Sequence, residues 1–250
     1  MPPLSVTAVA LIIGNEILSG RTSDVNLAFL GRRLNELGIR LMEARVVPDV
    51  EAAIVAAVNE TRARFDYVFT TGGIGPTHDD ITAACVAKAF GVPLVQNPEA
   101  RAILEAFYAP GELNAARLRM ANTPQGATLI ENPVSRAPGF QIGNVFVMAG
   151  VPSIMQAMFE GCAHRLSGGR PMRSRSLTVD LPEGGVAQGL AELQQRHDAV
   201  EIGSYPFKRE GRLGVRLVLR STEPERLDAA ARELEALIDG LGGARSWDET

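Results

Sequence analysis

The stretch DYVFTTGGIGPTHDDIT, residues 66–82, decides the fold that this sequence predicts. Its first part, DYVFTT, is a short apolar and β-branched run, typical of a strand buried on both faces of a sheet. A glycine-rich turn follows, and then a segment with helical spacing from about Asp79 to Phe90, which Gly91 ends. The stretch therefore predicts a buried strand, a tight turn and a helix, the unit from which open parallel sheets are built.

The same unit occurs in the chain before this stretch. TAVALIIG (7–14) predicts a first buried strand, and a helix that Thr22 or Ser23 would N-cap comes after it. IRLMEARVV (39–47) predicts a second strand, and Pro48-Asp49 then opens a helix that runs through EAAIVAAVNETRAR (51–64). Right-handed βαβ connections then give a mostly parallel sheet with helices on both faces, which is a three-layer α/β/α fold.

A change of pattern divides the chain near residue 170. SGGRP (167–171) combines serine, glycine and proline and is the best candidate for a linker. Beyond it the order is strand, helix, strand, strand, helix, with a short final strand at ARSW (244–247). We therefore predict an α/β domain over 1–170 and a small ferredoxin-like α+β module over 171–250.

Composition and charge narrow the classes of protein. The hydrophobic share of 46% allows a sizeable core, and the formal net charge of −4 argues against binding to nucleic acid or to an anionic membrane. The apolar run near the N-terminus is too short to span a bilayer. Cys85 and Cys162 lie among apolar neighbours without a CxxC pattern, so we expect reduced core thiols in a cytoplasmic protein.

The glycine-rich turn predicts a phosphate-binding site. Gly72, Gly73 and Gly75 can adopt positive φ and let backbone amides approach a ligand closely. The N-terminus of the following helix offers further N–H groups and the positive end of a dipole. In open parallel sheets this edge, beyond the carboxyl ends of the strands, is where ligands bind.

Carboxylates at this edge indicate a cation beside the phosphate. Thr77 and Asp80 have nearly the spacing of a capping box, so a purely structural role for Asp80 is the alternative. One cap does not account for Asp79 as well, and Asp49 and Glu16 should emerge at neighbouring strand ends. Because such carboxylates would repel phosphate, Mg²⁺ or another divalent cation is expected to bridge them to it.

Other catalytic classes are disfavoured. The histidines His78, His164 and His197 lack metal-ligand spacing, and no serine stands in a nucleophile elbow. The first loop reads GNEILSG rather than the glycine fingerprint of a Rossmann dehydrogenase.

Four segments together carry a family resemblance: GNEILSGRTSDVN, VVPDVEAAI, DYVFTTGGIGPTHDDIT and NPVSRAPGF with the later VMAGVPSIMQAMF. They resemble the molybdopterin-binding domain of molybdenum-cofactor biosynthesis, in the form found in CinA, the competence/damage-inducible protein. VEIGSYPF (200–207) also resembles the segment that follows this domain in CinA-like proteins and in the related domain of eukaryotic FAD synthases.

The resemblance implies roles for individual residues. Asp80 and Asp49 match the acidic residues that the family links to metal-assisted chemistry, and Asp79 is a further catalytic candidate. Phosphate and ligand contacts are implied for Thr71, Gly72, Gly73, Gly75, Thr77, Gly14, Glu16, Ser135, Gly139 and Gly150.

The resemblance also implies an activity, and several alternatives stay open. CinA-type domains are associated with metal-dependent cleavage of ADP-ribose or similar dinucleotide pyrophosphates, so we expect a hydrolase that binds a small phosphorylated ligand. One alternative is adenylyl transfer to molybdopterin. Another is a pterin- or nucleotide-binding module with little catalysis, since Ser135 and Arg136 replace the usual small residues of GTAPGF. We also expect a homo-oligomer, without a defined number of subunits.

Overall fold

A computed structural model describes residues 6–209 and 212–248, and the chain folds as two units, Met1–Gly169 and Arg170–Thr250. The helices of the first unit are α1 Asn15–Leu18, α2 Asn26–Glu36, α3 Glu51–Arg64, α4 Thr82–Phe90, α5 Pro98–Phe107, α6 Ala115–Leu118 and α7 Pro152–Cys162, with 3-10 turns at Arg119–Ala121 and Ala163–Arg165. Its strands are β1 Val6–Ile13, β2 Ile39–Val47, β3 Tyr67–Thr71, β4 Leu94–Gln96, β5 Asn122–Pro124, β6 Thr128–Ile130, β7 Gly139–Ile142 and β8 Val145–Met148.

The main sheet of the first unit is mostly parallel, as predicted. It has six strands in the order β2-β1-β3-β8-β7-β6, and β2, β1, β3 and β8 are parallel neighbours. The strand β7 runs antiparallel to both β8 and β6. The carboxyl ends of the four parallel strands therefore meet at one edge of the sheet.

Alternate residues of β1 build two separate cores because successive side chains of a strand point to opposite faces. Ala8 and Ala10 lie in the core beneath α2 and α7. Val9 and Leu11 lie in the core beneath α3 and α4, which also contains the buried Cys85. A strand covered in this way on both faces explains the unbroken apolar run that the sequence shows.

The second unit has the predicted ferredoxin-like order. Its elements are β9 Arg173–Val179, α8 Glu183–Arg196, β10 Glu201–Arg209, β11 Arg212–Ser221, α9 Pro224–Gly240 and β12 Arg245–Trp247. The strands form an antiparallel sheet in the order β10-β11-β9-β12, and α8 and α9 share its core through residues such as Leu193 and Leu234.

Several details of the first unit differ from the prediction. Neither Thr22 nor Ser23 caps α2; the Asp24 carboxylate instead accepts a hydrogen bond of 2.8 Å from the Leu27 amide. The helix α4 begins at Thr82 rather than at Asp79, because the residues between Gly73 and Thr82 form an irregular loop. The short helix α1 and the small β4–β5 sheet were not predicted.

Within the described residues, no helix combines the length and the apolar character needed to cross a membrane.

Candidate functional site

A cavity of about 610 Å³ lies at the edge of the sheet where β1, β2, β3 and β8 end. Residues one or two positions after the ends of these strands line it, among them Gly14, Asp49, Gly72 and Gly150. The predicted site residues on its wall are Gly14, Glu16, Asp49, Gly72, Gly73, Gly75, Thr77, Asp79, Asp80, Ser135 and Gly150. The structure thus places residues from distant parts of the sequence around one space of ligand size.

The glycine turn needs two of its glycines for steric reasons. Gly72 has φ 99°, and a β-carbon there would lie 2.2 Å from the backbone oxygen of Ile13. Gly73 has φ 69°, and a β-carbon there would lie 2.1 Å from Oγ1 of Thr82. Both the positive φ and the close approach of neighbouring atoms exclude a side chain at these positions without a local shift.

The turn leaves backbone amides available to a ligand. The Gly72 amide donates to the Met148 carbonyl at 3.1 Å, which ties the turn to β8. No hydrogen-bond acceptor of the described residues pairs with the amides of Gly73, Ile74 and Gly75, which all line the cavity. Three successive amides without a partner, at the start of a loop that leads into α4, form a suitable seat for an anion.

Asp80 is held against this turn. The Thr77 amide donates to Oδ2 of Asp80 at 2.8 Å, and the Thr77 hydroxyl donates to the same oxygen. A β-carbon on Gly75 would lie 2.7 Å from that oxygen, so the carboxylate rests directly on the glycine turn. Of the two hydrogen bonds of the predicted capping box, the one from the Thr77 amide to the Asp80 carboxylate is present. It stabilises the loop before the helix rather than the helix itself.

The neighbouring Asp79 remains charged. A hydrogen bond from the Thr77 side chain lowers its pKa, and its own backbone amide adds to that effect. The single hydroxyl proton of Thr77 serves one carboxylate at a time, so the two aspartates compete for it. The His78 side chain is 97% exposed, and its Nδ1 lies 3.9 Å from Oδ1 of Asp79. This is the environment of a solvated loop histidine.

Asp49 and Glu16 bring carboxylates from the loops after β2 and β1. The Asn15 amide donates to Oδ2 of Asp49 at 2.8 Å, which links the two loops. The Glu16 carboxylate folds over Gly14, where a β-carbon would lie 2.5 Å from its Oε1. The convergence of Asp49, Glu16, Asp79 and Asp80 on one cavity is what the sheet order predicted.

Two predicted residues do not line this cavity. Thr71 is buried at the end of β3 and borders a smaller cavity of about 60 Å³ instead. Gly139 lies inside the fold, where a β-carbon would meet the Val147 carbonyl oxygen at 2.2 Å and the side chain of Met158 at 2.5 Å. Close packing accounts for the glycine at 139.

Sequence reasoning missed Asn132, which builds the loop that carries Ser135. Its Oδ1 accepts from the amides of Val134 and Ser135 at 3.1 Å, and its Nδ2 donates to the Ser135 hydroxyl oxygen at 2.7 Å and to the Ala137 carbonyl at 2.8 Å. Because the Ser135 oxygen accepts this bond, its own proton is left to donate elsewhere. An asparagine before a Ser-Arg-Ala-Pro turn is a local signal that could have indicated this role.

Tyr108, Met120 and Arg119 were also missed. Tyr108 and Met120 line the cavity although they belong to the segment of α5 and α6. Arg119 of the same segment donates to the carbonyl oxygens of Pro76 at 2.5 Å and Thr77 at 2.9 Å. No local pattern predicts these contacts, because they join parts of the chain separated by 43 and 42 residues.

Comparison with known proteins agrees with this architecture. The family described as "Probable molybdopterin binding domain" matches residues 9–167, and the family described as "FAD synthase, middle domain" matches residues 171–241.

Individual relatives extend the match. A protein of Pyrobaculum calidifontis is 37% identical over 250 residues, which is 93% of this chain and 95% of that protein. A CinA-like protein of Desulfosudis oleivorans is 39% identical over 197 residues, 74% of this chain and 48% of the relative. A second CinA-like protein, from Myxococcus xanthus, is 33% identical over 240 residues, which is 90% of this chain and 56% of the relative. The matched part thus spans about half the length of the two CinA-like proteins.

A solved structure shares the fold of the first unit. The crystal structure of CinA from Thermoplasma acidophilum, described as a protein with unknown function, matches 64% of this chain and 98% of its own at 35% identity and a TM-score of 0.61. The match of more than half of the chain to one family, together with these relatives, shows that the protein belongs to the molybdopterin-binding-domain family and is CinA-like within it.

Proposed function

We propose that this protein hydrolyses the pyrophosphate bond of ADP-ribose or a similar dinucleotide with the help of a divalent cation. One observation carries the proposal: the amides of Gly73, Ile74 and Gly75, which no acceptor in the described part of the chain pairs, line the same cavity as the carboxylates of Asp49 and Asp80. The amides suit a phosphate, whereas the carboxylates would repel it unless a cation lies between them. The association of CinA-type domains with such cleavage points to the same activity.

The carboxylates suit an ion that keeps part of its water shell. Asp49 and Asp80 each use Oδ2 in protein hydrogen bonds, and Oδ1 of each has no protein donor among the described residues. The described part of the chain contains no cluster of three or more His, Cys, Asp or Glu side chains placed to hold a metal. Mg²⁺ typically takes one or two carboxylates and completes its shell with water and substrate phosphates, so this donor set fits it.

Different residues of the candidate site would have different roles in this reaction. The bound cation would neutralise charge on the pyrophosphate and lower the pKa of a water. The amides from Gly73 to Gly75 hold one phosphate and donate to the charge that develops on it. Thr77 orients the Asp80 carboxylate, and the Asn15 amide orients that of Asp49. Hydrolysis breaks one P–O bond of the pyrophosphate and forms one to the water oxygen, which yields AMP and ribose 5-phosphate.

The test is AMP release from ADP-ribose. Metal-stripped protein is incubated with ADP-ribose and with Mg²⁺, Mn²⁺ or Co²⁺ in turn, and the products are separated by chromatography. Asp80→Asn and Asp49→Asn should each lower the rate by at least about 100-fold. The loss of a residue that only supports a metal ligand costs up to about 100-fold, and these variants would change a proposed ligand itself. Asp198→Asn is the matched control, because its side chain is 89% exposed and belongs to the second unit.

A second candidate is a binding module without turnover. The SRAPGF turn favours it, because Ser135, which lines the cavity, and Arg136 replace the usual small residues of GTAPGF. Ligand binding with no AMP under any metal would support this function and would rule out the hydrolase. Adenylyl transfer to molybdopterin would instead require an acceptor phosphate, and AMP release to water alone would rule it out as the main activity.

A further inference from the structure

Part of the cavity wall comes from outside the main sheet. Tyr108 follows α5, and Met120 lies in the 3-10 turn after α6; both side chains are half-buried and line the cavity. The surrounding segment has a small core of its own, formed by Ala100, Leu104 and Ala121, to which Tyr108 and Met120 also belong. An aromatic ring and a thioether on a cavity wall offer an apolar, polarisable surface to whatever occupies it.

This wall is attached to the phosphate-binding turn. Arg119 is the residue before Met120, and its guanidinium donates to the carbonyl oxygens of Pro76 and Thr77. The distance between the apolar wall and the amides at Gly73–Gly75 is therefore set by hydrogen bonds. One rigid ligand could contact both, with its phosphate on the turn and its other end on the wall.

The Tyr108 ring is fixed in position. The guanidinium carbon of Arg117 lies 4.5 Å from the centre of the ring, over one of its faces. The Phe107 ring meets it edge-on, with the two centres 5.2 Å apart. With one face covered by a cation and a neighbouring ring alongside, the ring is held in place and its remaining surface is available to the cavity.

A hydrogen-bond donor lines the same cavity. The Ser135 oxygen accepts from Asn132, so the Ser135 hydroxyl proton is free to donate to a ring nitrogen or carbonyl oxygen. The cavity volume of about 610 Å³ is within the range for drug-sized ligands and exceeds what a pyrophosphate needs. The cavity therefore has room for more of a ligand than its phosphates.

We infer that Tyr108 and Met120 form a subsite for the planar heterocyclic ring of a phosphorylated ligand, a nucleobase or a pterin, with Ser135 as a donor to the ring. This inference rests on the proposed function only in placing the phosphate at the glycine turn. The ring defines the class of ligand, and the subsite would bind that ring whether or not the bound molecule is cleaved.

Equilibrium binding of ligands that lack a pyrophosphate bond tests the subsite independently of turnover. The dissociation constants of AMP, of a monophosphorylated neopterin and of ribose 5-phosphate are measured by calorimetry with Mg²⁺ present, because a cation is needed between the phosphate and the carboxylates. Tyr108→Leu should weaken the binding of at least one ring-bearing probe by about 5- to 150-fold, which corresponds to about 1 to 3 kcal/mol for stacking of a base on an aromatic side chain. Ribose 5-phosphate, which lacks the ring, should bind the variant as it binds the wild type.

Three further variants make the test specific. Tyr108→Phe keeps the ring and should bind like the wild type. Tyr205→Leu removes a half-exposed tyrosine from the second unit and is the matched control. Met120→Gln keeps the length of the side chain but not its apolar character, and it should weaken the same ring-bearing probe; it serves as the substitute if Tyr108→Leu does not fold.

The outcomes separate the two proposals. Equal weakening of ribose 5-phosphate and the ring-bearing probes, or no weakening at all, would overturn the ring subsite even if AMP release from ADP-ribose is observed. Failure of the wild type to bind either ring-bearing probe more tightly than ribose 5-phosphate would overturn it as well. Ring-dependent binding without AMP release would support the subsite and reject the hydrolase, and the preferred probe would distinguish a nucleotide from a pterin.

Discussion

The side-chain amide of Asn26 donates a hydrogen bond of 2.8 Å to the carbonyl oxygen of Gly150, a residue 124 positions later in the chain. Asn26 is the first residue of α2 and is only 3% exposed, whereas Gly150 follows β8 at the cavity. Gly150 in turn packs on the glycine turn, since a β-carbon there would lie 3.3 Å from the Cα of Gly72. A buried amide thus connects the loops that surround the cavity.

Asn26→Ala should therefore affect both stability and ligand binding. The change removes the bond to Gly150 and leaves a small cavity, so the free energy of unfolding in urea should fall by about 1 to 2 kcal/mol. The affinity for ribose 5-phosphate should also fall, because Gly150 supports Gly72. Asn59→Ala on the exposed side of α3 is the control and should stay within about 0.5 kcal/mol of the wild type. Equal behaviour of the two variants would show that the Asn26 bond contributes nothing.

Gly72→Ala should be far more costly than alanine at an unobstructed glycine. At Gly72 a β-carbon meets the Ile13 carbonyl oxygen at 2.2 Å, whereas Gly126 has a similar φ of 84° with nothing within 4 Å. Gly126→Ala should cost only the strain of positive φ, about 1 to 3 kcal/mol. Gly72→Ala should exceed that value, because the atom it meets belongs to the backbone. Urea denaturation of both variants measures the difference, and equal losses would contradict the close approach.

The sequence predicted the elements around the site well because their signals are local. The β-strand at 39–47 agrees with the structure at both ends, since its continuous pattern is bounded by glycine and proline. The helix predicted to open at Pro48-Asp49 ends at Arg64 as predicted, but it begins at Glu51. The predicted start of α4, at about Asp79, was wrong. Thr77 and Asp80 stabilise an irregular loop, and the first helical residue is Thr82. A capping pattern indicates a hydrogen bond, but it does not show on which side of that bond the helix lies.

The residues that line the candidate site were predicted only where chain connectivity and strand ends determine their position. Asp49, Glu16 and Asp80 reach one cavity because they follow neighbouring parallel strands. Tyr108 and Arg119 approach the cavity through the packing of the α5–α6 segment, which depends on contacts between distant residues. No periodicity or motif encodes such contacts, so a single sequence does not reveal them.

Both cysteine thiols should be unreactive in the folded protein. Burial raises the pKa of Cys85 and of Cys162 to about 11, from an ordinary value of 9.0, so neither is a thiolate near neutral pH. Reaction with a disulfide reagent at pH 8 should be slow in buffer and fast in urea. Because the folded state holds these protons more tightly, this contribution to stability is complete below pH 9 and is lost as the pH rises towards 11. A Cys85→Ala, Cys162→Ala double variant should lose less stability over that interval, and rapid labelling of the native wild type would contradict their burial.

Arg119→Met should weaken ligand binding more than it weakens the fold. Arg119 is exposed, so the loss of its bonds to the Pro76 and Thr77 carbonyls should lower the free energy of unfolding by no more than about 1 kcal/mol. These bonds nevertheless set the position of the wall that carries Tyr108 and Met120 relative to the glycine turn. The dissociation constant of AMP should therefore rise by about 5-fold or more, which corresponds to a loss of about 1 kcal/mol in binding free energy.

Arg101→Met is the matched control for Arg119→Met, because Arg101 is an exposed arginine of α5 that pairs with Glu105 of its own helix at 2.7 Å. Arg101→Met should leave AMP binding unchanged. Arg119→Lys should restore it only in part, since a single ammonium group does not reproduce the planar donor geometry of the guanidinium. If Arg119→Met and Arg101→Met bound AMP equally well, the wall would keep its position without Arg119, and the packing of Ala100, Leu104 and Ala121 would have to hold it instead.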